Sequence, residues 1–549
     1  MVYPINLIKF ILCVSQCFSV FLCVTKSLRT ITEEHRVSIA IGITELHREQ
    51  KLKLLLNMLL LGIDLGSSSV KASVIDGESG KCLATAYSPS DEMKIIALKP
   101  GWAEQDPETW WTNLKAAINE CTHKLGQKKD KIGAIGISYQ MHGLVAVDKN
   151  NKVLRNSIIW CDSRAVGYGE KALNSLGKDW CLSHLLNSPG NFTASKLAWV
   201  KEYEPDLFSR IHKVMLPGDY IALRLTGKLS TSFTGLSEGI FWDFSMNRVS
   251  EELMRFYGFN SGLLPEPAPS FSISGLLLKS SAKELGLPEG IPVSYRAGDQ
   301  PNNALSLNVL NPGEVAATAG TSGVIYGVTD KKKYDDLSRV NTFLHVNHNQ
   351  AQTRLGVLLC INGTGILNSW LRRNSGSDLS YNDMNNMAEK IAPGSDGLCI
   401  LPFGNGAERM LGNKDTGARI AGLNFNIHTN AHMFRAAQEG IAFSLRYGLD
   451  IMKEVGIDPQ VIRAGEANMF LSEVFREVLS CITGTVIHLY NTDGSIGSAR
   501  GAGIGCGYYK SEKEAFKGLV AVSVTEPDKS RSGDYEKAYL NWKKLLSEL

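Results

Sequence analysis

The sequence lacks the cysteine patterns that mark zinc sites and disulfide frameworks. Its 11 cysteines include no Cys-x-x-Cys pair and no Cys/His spacing suited to tetrahedral zinc. Three of them, Cys13, Cys17 and Cys23, lie near the N-terminus, and the other eight are dispersed along the chain. Dispersed cysteines in a large chain are typically reduced and buried. We therefore expect a reducing compartment and no structural zinc.

An excess of charge of one sign is missing from most of the chain. The net charge is +3, and residues 1–57 alone carry seven Lys and Arg against four Glu, so residues 58–549 balance. A protein that grips a phosphate backbone usually shows a basic surplus or stripe. We therefore expect no nucleic-acid partner. The 549 residues, 44% of them hydrophobic, are instead enough for two or more globular domains.

The N-terminal segment lacks an apolar run long enough to span a bilayer. Phe10–Val24 is apolar for 15 residues between Lys9 and Lys26, whereas a membrane span needs about 20. No small-residue cleavage site of a signal peptide follows it. We interpret Met58 as the start of translation and residues 1–57 as an extension outside the fold, with a targeting or anchor segment and an ordered extension as alternatives. We otherwise expect a cytoplasmic protein without a membrane partner.

Strand and helix signals alternate from residue 59 onward, which predicts a layered α/β fold. Apolar strands are predicted at Leu59–Asp64 and Val70–Asp76, on either side of a tight turn rich in Gly and Ser. About 250 residues later, Val315–Thr318 and Val324–Val328 repeat the arrangement. The repetition predicts two similar domains that face each other across a cleft, each contributing one polar hairpin turn.

The two hairpin turns have the composition of phosphate-binding loops. Glycine lets the backbone approach an anion, and consecutive N–H groups and hydroxyls donate to phosphate oxygens. Asp64, at the end of its strand, is suited to hold Mg²⁺ through water. Either turn alone could be an ordinary hairpin, but the pair predicts a nucleotide clamp, and the absence of G-x-x-x-x-G-K-[ST] excludes a P-loop. The candidate phosphate-binding residues are Gly66, Ser67, Ser68 and Ser69 in the first turn and Gly320, Thr321, Ser322 and Gly323 in the second.

Asp299 is the candidate general base. It follows the predicted strand Pro292–Ala297, at a point where a helix begins. An Asp at such a junction is often only a helix N-cap. The same position keeps a carboxylate ionised near the positive end of the helix dipole. This suits a residue that takes a proton from a hydroxyl during phosphoryl transfer.

Three motifs resemble those of the FGGY carbohydrate kinases in order and spacing, namely Asp64–Lys71, Gly298–Gln300 and Gly320–Gly323. The resemblance covers residues 58–520. It implies an α/β fold of two actin-like, ribonuclease H-like domains facing across a cleft, with sugar and phosphate bound by residues 58–308 and nucleotide by residues 309–549. It also implies ATP and Mg²⁺ as cofactors, Asp299 as the catalytic base and Asp64 beside the metal. The expected partners are a small sugar and ATP, with a homodimer left open.

Two loops indicate which sugar the protein phosphorylates. Tyr139–Leu144, which reads Tyr-Gln-Met-His-Gly-Leu, and Ile158–Ala165 resemble the members of this family that phosphorylate D-xylulose. A histidine beside a polyol can both donate and accept hydrogen bonds. The likeness implies that the ketose is contacted by Met141, His142, Asp299 and Gln300.

Three alternatives to this interpretation stay open. His142 could be a structural loop histidine. The chain could be a kinase of the same family for ribulose, gluconate or glycerol. It could also be a non-catalytic actin-like sensor of sugar or nucleotide, although such a protein would be expected to have lost Asp299 or one of the two turns.

The adenosine loop departs from the family pattern. Members commonly have a Gly-rich loop ahead of a helix, and the matching stretch here is Ala464–Phe470, which keeps few small residues. We assign nucleotide contacts to Gly465 and Asn468, with Glu466 as an alternative partner of the ribose.

A second glycine-rich run, Gly501–Gly507, superficially resembles a dinucleotide-binding loop. It lies near the C-terminus, without a strand-then-helix unit and a downstream acidic residue. We interpret it as part of a helix that packs closely.

Overall fold

Two central β-sheets organise the part of the chain that the structure describes. The computed structural model describes residues 57–375 and 379–549. The interpretation of residues 1–57 as an extension therefore concerns residues that lie, except for Asn57, outside the described ranges.

The first sheet contains the strands predicted around the first hairpin turn. Its strands are β1 (Leu59–Leu65), β2 (Val70–Asp76), β3 (Cys82–Ser88), β4 (Ile132–Tyr139), β5 (Phe271–Leu276) and β6 (Pro292–Gly298). They lie in the order β5-β6-β4-β1-β2-β3, with β1, β4 and β6 parallel and the others antiparallel to their neighbours. Six of the seven residues of β1 are buried, as expected of a central strand covered on both faces.

The second sheet contains the strands predicted around the second hairpin turn. Its strands are β7 (Val315–Ala319), β8 (Gly323–Thr329), β9 (Asn341–Leu344), β10 (Leu355–Ile361), β11 (Val461–Gly465), β12 (Val486–Tyr490) and β13 (Ala521–Thr525). They lie in the order β9-β10-β8-β7-β11-β12-β13, and β7, β11 and β12 are parallel.

The two sheets repeat one topology. The order β3-β2-β1-β4-β6 in the first sheet corresponds to β10-β8-β7-β11-β12 in the second. In each sheet, the two successive strand pairings on one side of the first strand are antiparallel, and the two on its other side are parallel. The predicted duplication of an α/β unit is thus confirmed, and each polar turn joins the first two strands of its sheet.

Helices cover both sheets. They are α1 (Pro107–Leu125), α2 (Val166–Leu176), α3 (Lys178–Leu185), α4 (Thr193–Tyr203), α5 (Pro205–Phe208), α6 (Pro217–Thr226), α7 (Phe233–Glu238), α8 (Glu251–Tyr257), α9 (Lys279–Leu285), α10 (Asp299–Ser306), α11 (Gly365–Asn374), α12 (Tyr381–Glu389), α13 (Asn430–Glu454), α14 (Glu473–Thr483), α15 (Gly494–Gly505), α16 (Glu512–Ala515) and α17 (Ser532–Leu546). Within residues 57–375 and 379–549, no helix has the length and apolarity needed to cross a membrane.

Helix α1 begins with a capping aspartate and a proline. The side chain of Asp106 accepts the N–H of Glu108 at 3.0 Å, and Pro107 occupies the first helical position.

Helix α15 follows the second sheet in sequence but packs on β1, β4 and β6 of the first. Glycines allow the close contact. A Cβ at Gly62 would lie 1.8 Å from the carbonyl oxygen of Ser495, and one at Gly505 would lie 1.8 Å from that of Ser294. The glycine-rich run near the C-terminus is therefore, as predicted, part of a closely packed helix.

Candidate active site

The carboxyl ends of the parallel strands bring the predicted site residues to one edge of the first sheet. Asp64 of β1 lies opposite Ser138 of β4, and Gly298 at the end of β6 lies opposite Tyr139. The chain that leaves this edge forms the first phosphate turn, the Met-His loop and the helix that begins at Asp299. In open α/β sheets, ligands bind at such strand ends.

Asp299 is the first residue of α10, and Gly298 takes the N-cap position. Asp299 is therefore not the N-cap of this helix. Burial raises the pKa of Asp299 to about 7, and the nearby carboxylate of Asp64 adds to the shift. The expectation that the helix N-terminus keeps this carboxylate ionised was therefore wrong, because burial acts more strongly in the opposite direction. A pKa near neutral suits a general base, because the group is then partly ionised and still able to hold a proton.

A lysine and a second aspartate, which sequence reasoning did not select as site residues, adjoin Asp64. Lys71 lies opposite Asp64 in the β1–β2 ladder, and its Nζ is 2.6 Å from Oδ2 of Asp493. Asp493 also caps α15, accepting the N–H of Ile496 at 3.0 Å. Burial acts to raise the pKa of Asp493, but Lys71 and the hydrogen bonds from Ser495 and Ile496 together hold that pKa below its ordinary value. The signal in the sequence was an Asp directly ahead of a helix.

Asp64 and Asp493 fit an Mg²⁺ ion that arrives together with phosphate. In residues 57–375 and 379–549, no group of three or more His, Cys, Asp or Glu is placed to hold a metal by itself. A Cβ at Gly494 would lie 2.4 Å from Oδ2 of Asp64. Any larger residue at this position would therefore clash with the Asp64 carboxylate. Mg²⁺ typically takes one or two protein carboxylates and completes its shell with phosphate oxygens and water.

The first phosphate turn is held through its carbonyl groups. The N–H of Gly66 donates to the carbonyl of Ser69 at 3.0 Å and closes the turn. Nε2 of Gln105 donates to the carbonyl of Ser67 at 2.6 Å, and the N–H of Met93 donates to the carbonyl of Ser68 at 2.7 Å. These contacts fix a turn whose serines are exposed or half-buried.

The second phosphate turn is joined by a loop that sequence reasoning missed. The carbonyl of Gly320 accepts the N–H of Gly365 at 2.8 Å and Oγ1 of Thr364 at 2.9 Å. Thr364 and Gly365 end the run Asn-Gly-Thr-Gly, which leads from β10 into α11. A run of small residues between a strand and a helix predicts a loop and could have been found in the sequence. The side chain of Asn468, a predicted nucleotide ligand, also adjoins Gly320.

A buried glutamate holds this loop. The carboxylate of Glu408 accepts the N–H of Asn362 at 2.9 Å and that of Gly363 at 3.1 Å. Burial raises the pKa of Glu408 to about 7.

His142 is held in one tautomer. Its Nδ1 lies 2.9 Å from the carbonyl oxygen of Glu238, so Nδ1 carries the hydrogen and Nε2 is an acceptor. Burial, and then the Lys196 ammonium, lower the pKa of His142 to about 3, so the ring is neutral. The rings of Phe192 and Phe343 lie 4.8 and 5.4 Å from the imidazole. The second of these belongs to β9 of the second sheet.

Lys196 ties the two predicted sugar loops together. Its Nζ donates to the carbonyl oxygens of His142 and Ile159, each at 2.9 Å. Burial lowers the pKa of Lys196 to about 7. Helix α4 also carries Lys201, and nothing in the sequence distinguishes Lys196 as a residue of a site.

The other predicted residues lie at strand ends of the two sheets. Met141 adjoins Gly298, where a Cβ would lie 2.6 Å from Cγ of Met141. Gln300 follows Asp299 in the first turn of α10. Gly465 ends β11, beside Tyr490 of β12.

The repeated domains, with a polar hairpin turn in each, define an actin-like phosphotransferase fold. Residues 59–306 match the N-terminal domain of the FGGY family of carbohydrate kinases, and residues 315–505 match its C-terminal domain. The chain therefore belongs to the FGGY family of carbohydrate kinases and is a sugar kinase.

Similar proteins extend over most of the chain. The xylulose kinase of Bacillus subtilis (strain 168) is 29% identical over 470 residues, 84% of this chain and 91% of that protein. A xyloylose kinase from Brucella ovis is 25% identical, with a TM-score of 0.81 over 89% of this chain and 98% of its own. A gluconate kinase from Lactobacillus acidophilus, 24% identical, has the same TM-score over 90% and 98%, and this likeness shows the fold alone. The predicted fold class of two actin-like domains is confirmed.

Proposed function

We propose that this sugar kinase transfers the γ-phosphoryl group of ATP to D-xylulose, giving D-xylulose 5-phosphate and ADP. The observation that carries the proposal is the position of Asp299. It follows Gly298, which contacts Met141 of the Met-His loop, and its pKa responds to Asp64 beside the first phosphate turn. Relatives named as xylulose kinases support the choice of sugar.

In this proposal both domains contribute to the site. Residues 58–308 bind the sugar and, through the first turn, phosphate, and residues 309–549 bind the nucleotide, with the adenosine beside Gly465 and Asn468. The sugar is contacted by Met141, His142 and Gln300. Because Nε2 of His142 is an acceptor, it receives a hydrogen bond from a sugar hydroxyl.

The reaction follows from the neighbours of Asp299. Its carboxylate takes the proton of the primary hydroxyl while that oxygen attacks the γ-phosphorus, and the bond to the β,γ-bridging oxygen breaks as ADP leaves. N–H groups and hydroxyls of the two turns donate to the phosphoryl oxygens. The chemistry that Mg²⁺ supplies when held beside Asp64 is neutralisation of phosphate charge. Closure of the domains excludes water, which would otherwise accept the phosphoryl group.

A coupled assay of ADP release tests the proposal. The full chain is assayed with ATP, Mg²⁺ and D-xylulose, L-ribulose, D-gluconate or glycerol, and kcat/KM is expected to be highest for D-xylulose. Asp299→Asn removes the base and is expected to lower kcat by about 10²- to 10⁴-fold while ATP binding persists. Asp330→Asn, at an exposed position, is the matched control and keeps full activity.

The outcomes separate the parts of the proposal. Preference for another sugar of the panel retains the mechanism and rejects D-xylulose. A wild-type rate in Asp299→Asn rejects the assignment of the base. ATP binding without turnover of any sugar favours a non-catalytic sensor.

A further inference from the structure

We propose that Glu238 is a positioning residue of the sugar site, which holds His142 and supports the turn that carries Asp299. The inference deepens the proposed function and rests on it.

Glu238 makes two hydrogen bonds to one residue of the Met-His loop. It ends α7 and is 1% exposed. Its Oε1 accepts the backbone N–H of His142 at 3.3 Å, and its own carbonyl lies 2.9 Å from Nδ1 of that histidine. His142 has a φ of 62°, in the left-handed region that a histidine enters only when its surroundings hold it there. Glu238 therefore fixes both the backbone and the ring of His142.

The second carboxyl oxygen faces the catalytic turn. Oε2 of Glu238 has no hydrogen-bond partner within the described residues. A Cβ at Gly298 would lie 2.7 Å from Oε2, and Gly298 directly precedes Asp299. A buried polar atom without a partner is costly and calls for an explanation. The Glu238 carboxyl group lies between His142 and Asp299. This position indicates that it sets the distance between the Met-His loop and the turn that carries Asp299.

Burial favours the protonated form of the Glu238 carboxyl group. Burial raises its pKa well above the ordinary value, and the acidic neighbours Asp299 and Asp219 add to the shift. A neutral carboxyl offers one acceptor and one O–H donor. Glutamine offers the same pair of functions in nearly the same shape, whereas methionine fills a similar volume and offers neither.

Glu408 supplies a matched comparison in the other domain. It is also a fully buried glutamate that accepts backbone N–H groups of a loop, in this case at Asn362 and Gly363 beside the second phosphate turn. The substitution Glu→Met at 238 or 408 therefore removes the same kind of contact from opposite sides of the cleft.

Steady-state kinetics on the full chain test the proposal, with the best sugar of the panel and thermal melts in parallel. Glu238→Met is expected to raise KM for the sugar by about tenfold or more, because the buried His142 N–H loses its acceptor, and to leave KM for ATP unchanged. Glu238→Gln keeps the hydrogen bond and is expected to stay within about threefold of wild type. Glu408→Met is expected to have the opposite effect: KM for ATP rises and KM for the sugar is unchanged.

Three results would overturn the proposal: an unchanged sugar KM in Glu238→Met, an equal rise of both KM values, or equal damage in Glu238→Gln. Should Glu238→Met not fold, Glu238→Asp, which withdraws the carboxyl from His142 by one methylene, carries the same expectation. If the wild-type protein turns over no sugar of the panel, the proposed function fails. That result overturns both the proposed function and this inference.

Discussion

At the scale of single residues, burial decides the chemistry of this site. It brings the pKa of Asp299 up to about 7 and that of Lys196 down to about 7, and it keeps His142 neutral. The site therefore faces its substrates with groups that are neutral or close to their titration points. Such groups exchange protons and hydrogen bonds readily, which is what recognition of a polyol and deprotonation of a hydroxyl require.

The raised pKa of Asp299 is expected to reduce stability at neutral pH. An unfolded Asp titrates near 3.8 and the folded one near 7, so between these values the folded state binds the extra proton and loses stability as the pH rises. Asp299→Asn should therefore melt at a higher temperature than wild type, by a margin that grows from about pH 4 to pH 7 and is constant above.

Thermal melts of both proteins across this pH range measure the margin. Asp330→Asn, whose side chain is exposed, is the control for the effect of an Asp-to-Asn substitution alone. A gain in melting temperature that is the same at every pH would contradict the assignment of the shift to Asp299.

At the scale of elements, glycines set how closely α15 approaches the first sheet. The helix is the element that carries Asp493 to Asp64, because its N-terminus lies at the carboxyl ends of β1 and β4. Its contacts involve backbone atoms on both sides, which cannot move aside as a flexible side chain can. The distance between helix and sheet is therefore sensitive to a single methyl group.

Gly505→Ala is expected to destabilise the protein. The added methyl would lie 1.8 Å from the carbonyl oxygen of Ser294, and overpacking of this kind costs about 1–3 kcal/mol or more. Gly533→Ala, in α17, meets nothing within 4 Å and should stabilise slightly, because alanine is the better helix former. The melting temperatures of the two variants test this prediction. Equal changes in melting temperature would contradict the close contact between α15 and the first sheet.

At the scale of the whole molecule, distant parts of the chain meet at the site. Lys71 and Asp493 are 422 residues apart in sequence and form an ion pair with an N–O distance of 2.6 Å. Ser73 and Ser495, also 422 apart, hydrogen-bond at 2.7 Å. The ring of Phe343 from the second sheet packs on His142. The contacts join the strand that follows the first phosphate turn to α15, and the Met-His loop to the second sheet.

The Lys71–Asp493 pair is expected to contribute measurably but modestly, because about a third of each side chain is exposed. A double-mutant cycle with Lys71→Met and Asp493→Asn should give a coupling free energy of about 0.5–1 kcal/mol at low salt, falling at high salt. The pair Lys453–Asp458, with side chains 44% and 69% exposed, is the control and should show almost none. Equal coupling in the two pairs would show that the contact does not lock hairpin to helix.

Local patterns in the sequence determined much of the architecture. Continuous apolar runs such as Leu59–Asp64 and Val315–Thr318 predicted central strands, and the Gly/Ser/Thr runs between them predicted the two hairpin turns. Asp299 was recognisable because it stands where a buried strand ends and a helix begins. These features are set by neighbours in the chain, through hydrophobic period, turn chemistry and helix capping, and the strand ends differ from prediction by only one or two residues.

Only the tertiary structure decided which side chains surround those motifs. Asp493 reaches Asp64 because α15 returns to the first sheet, and Glu238, Lys196 and Glu408 reach their loops through contacts 37 to 96 residues distant. An isolated polar residue in an apolar stretch carries no local sign of its partner. The pKa values of these groups depend on burial and on charges brought close by folding. The sequence therefore predicted the two turns and Asp299 as the candidate base, and the packing of the two sheets determined which groups surround them.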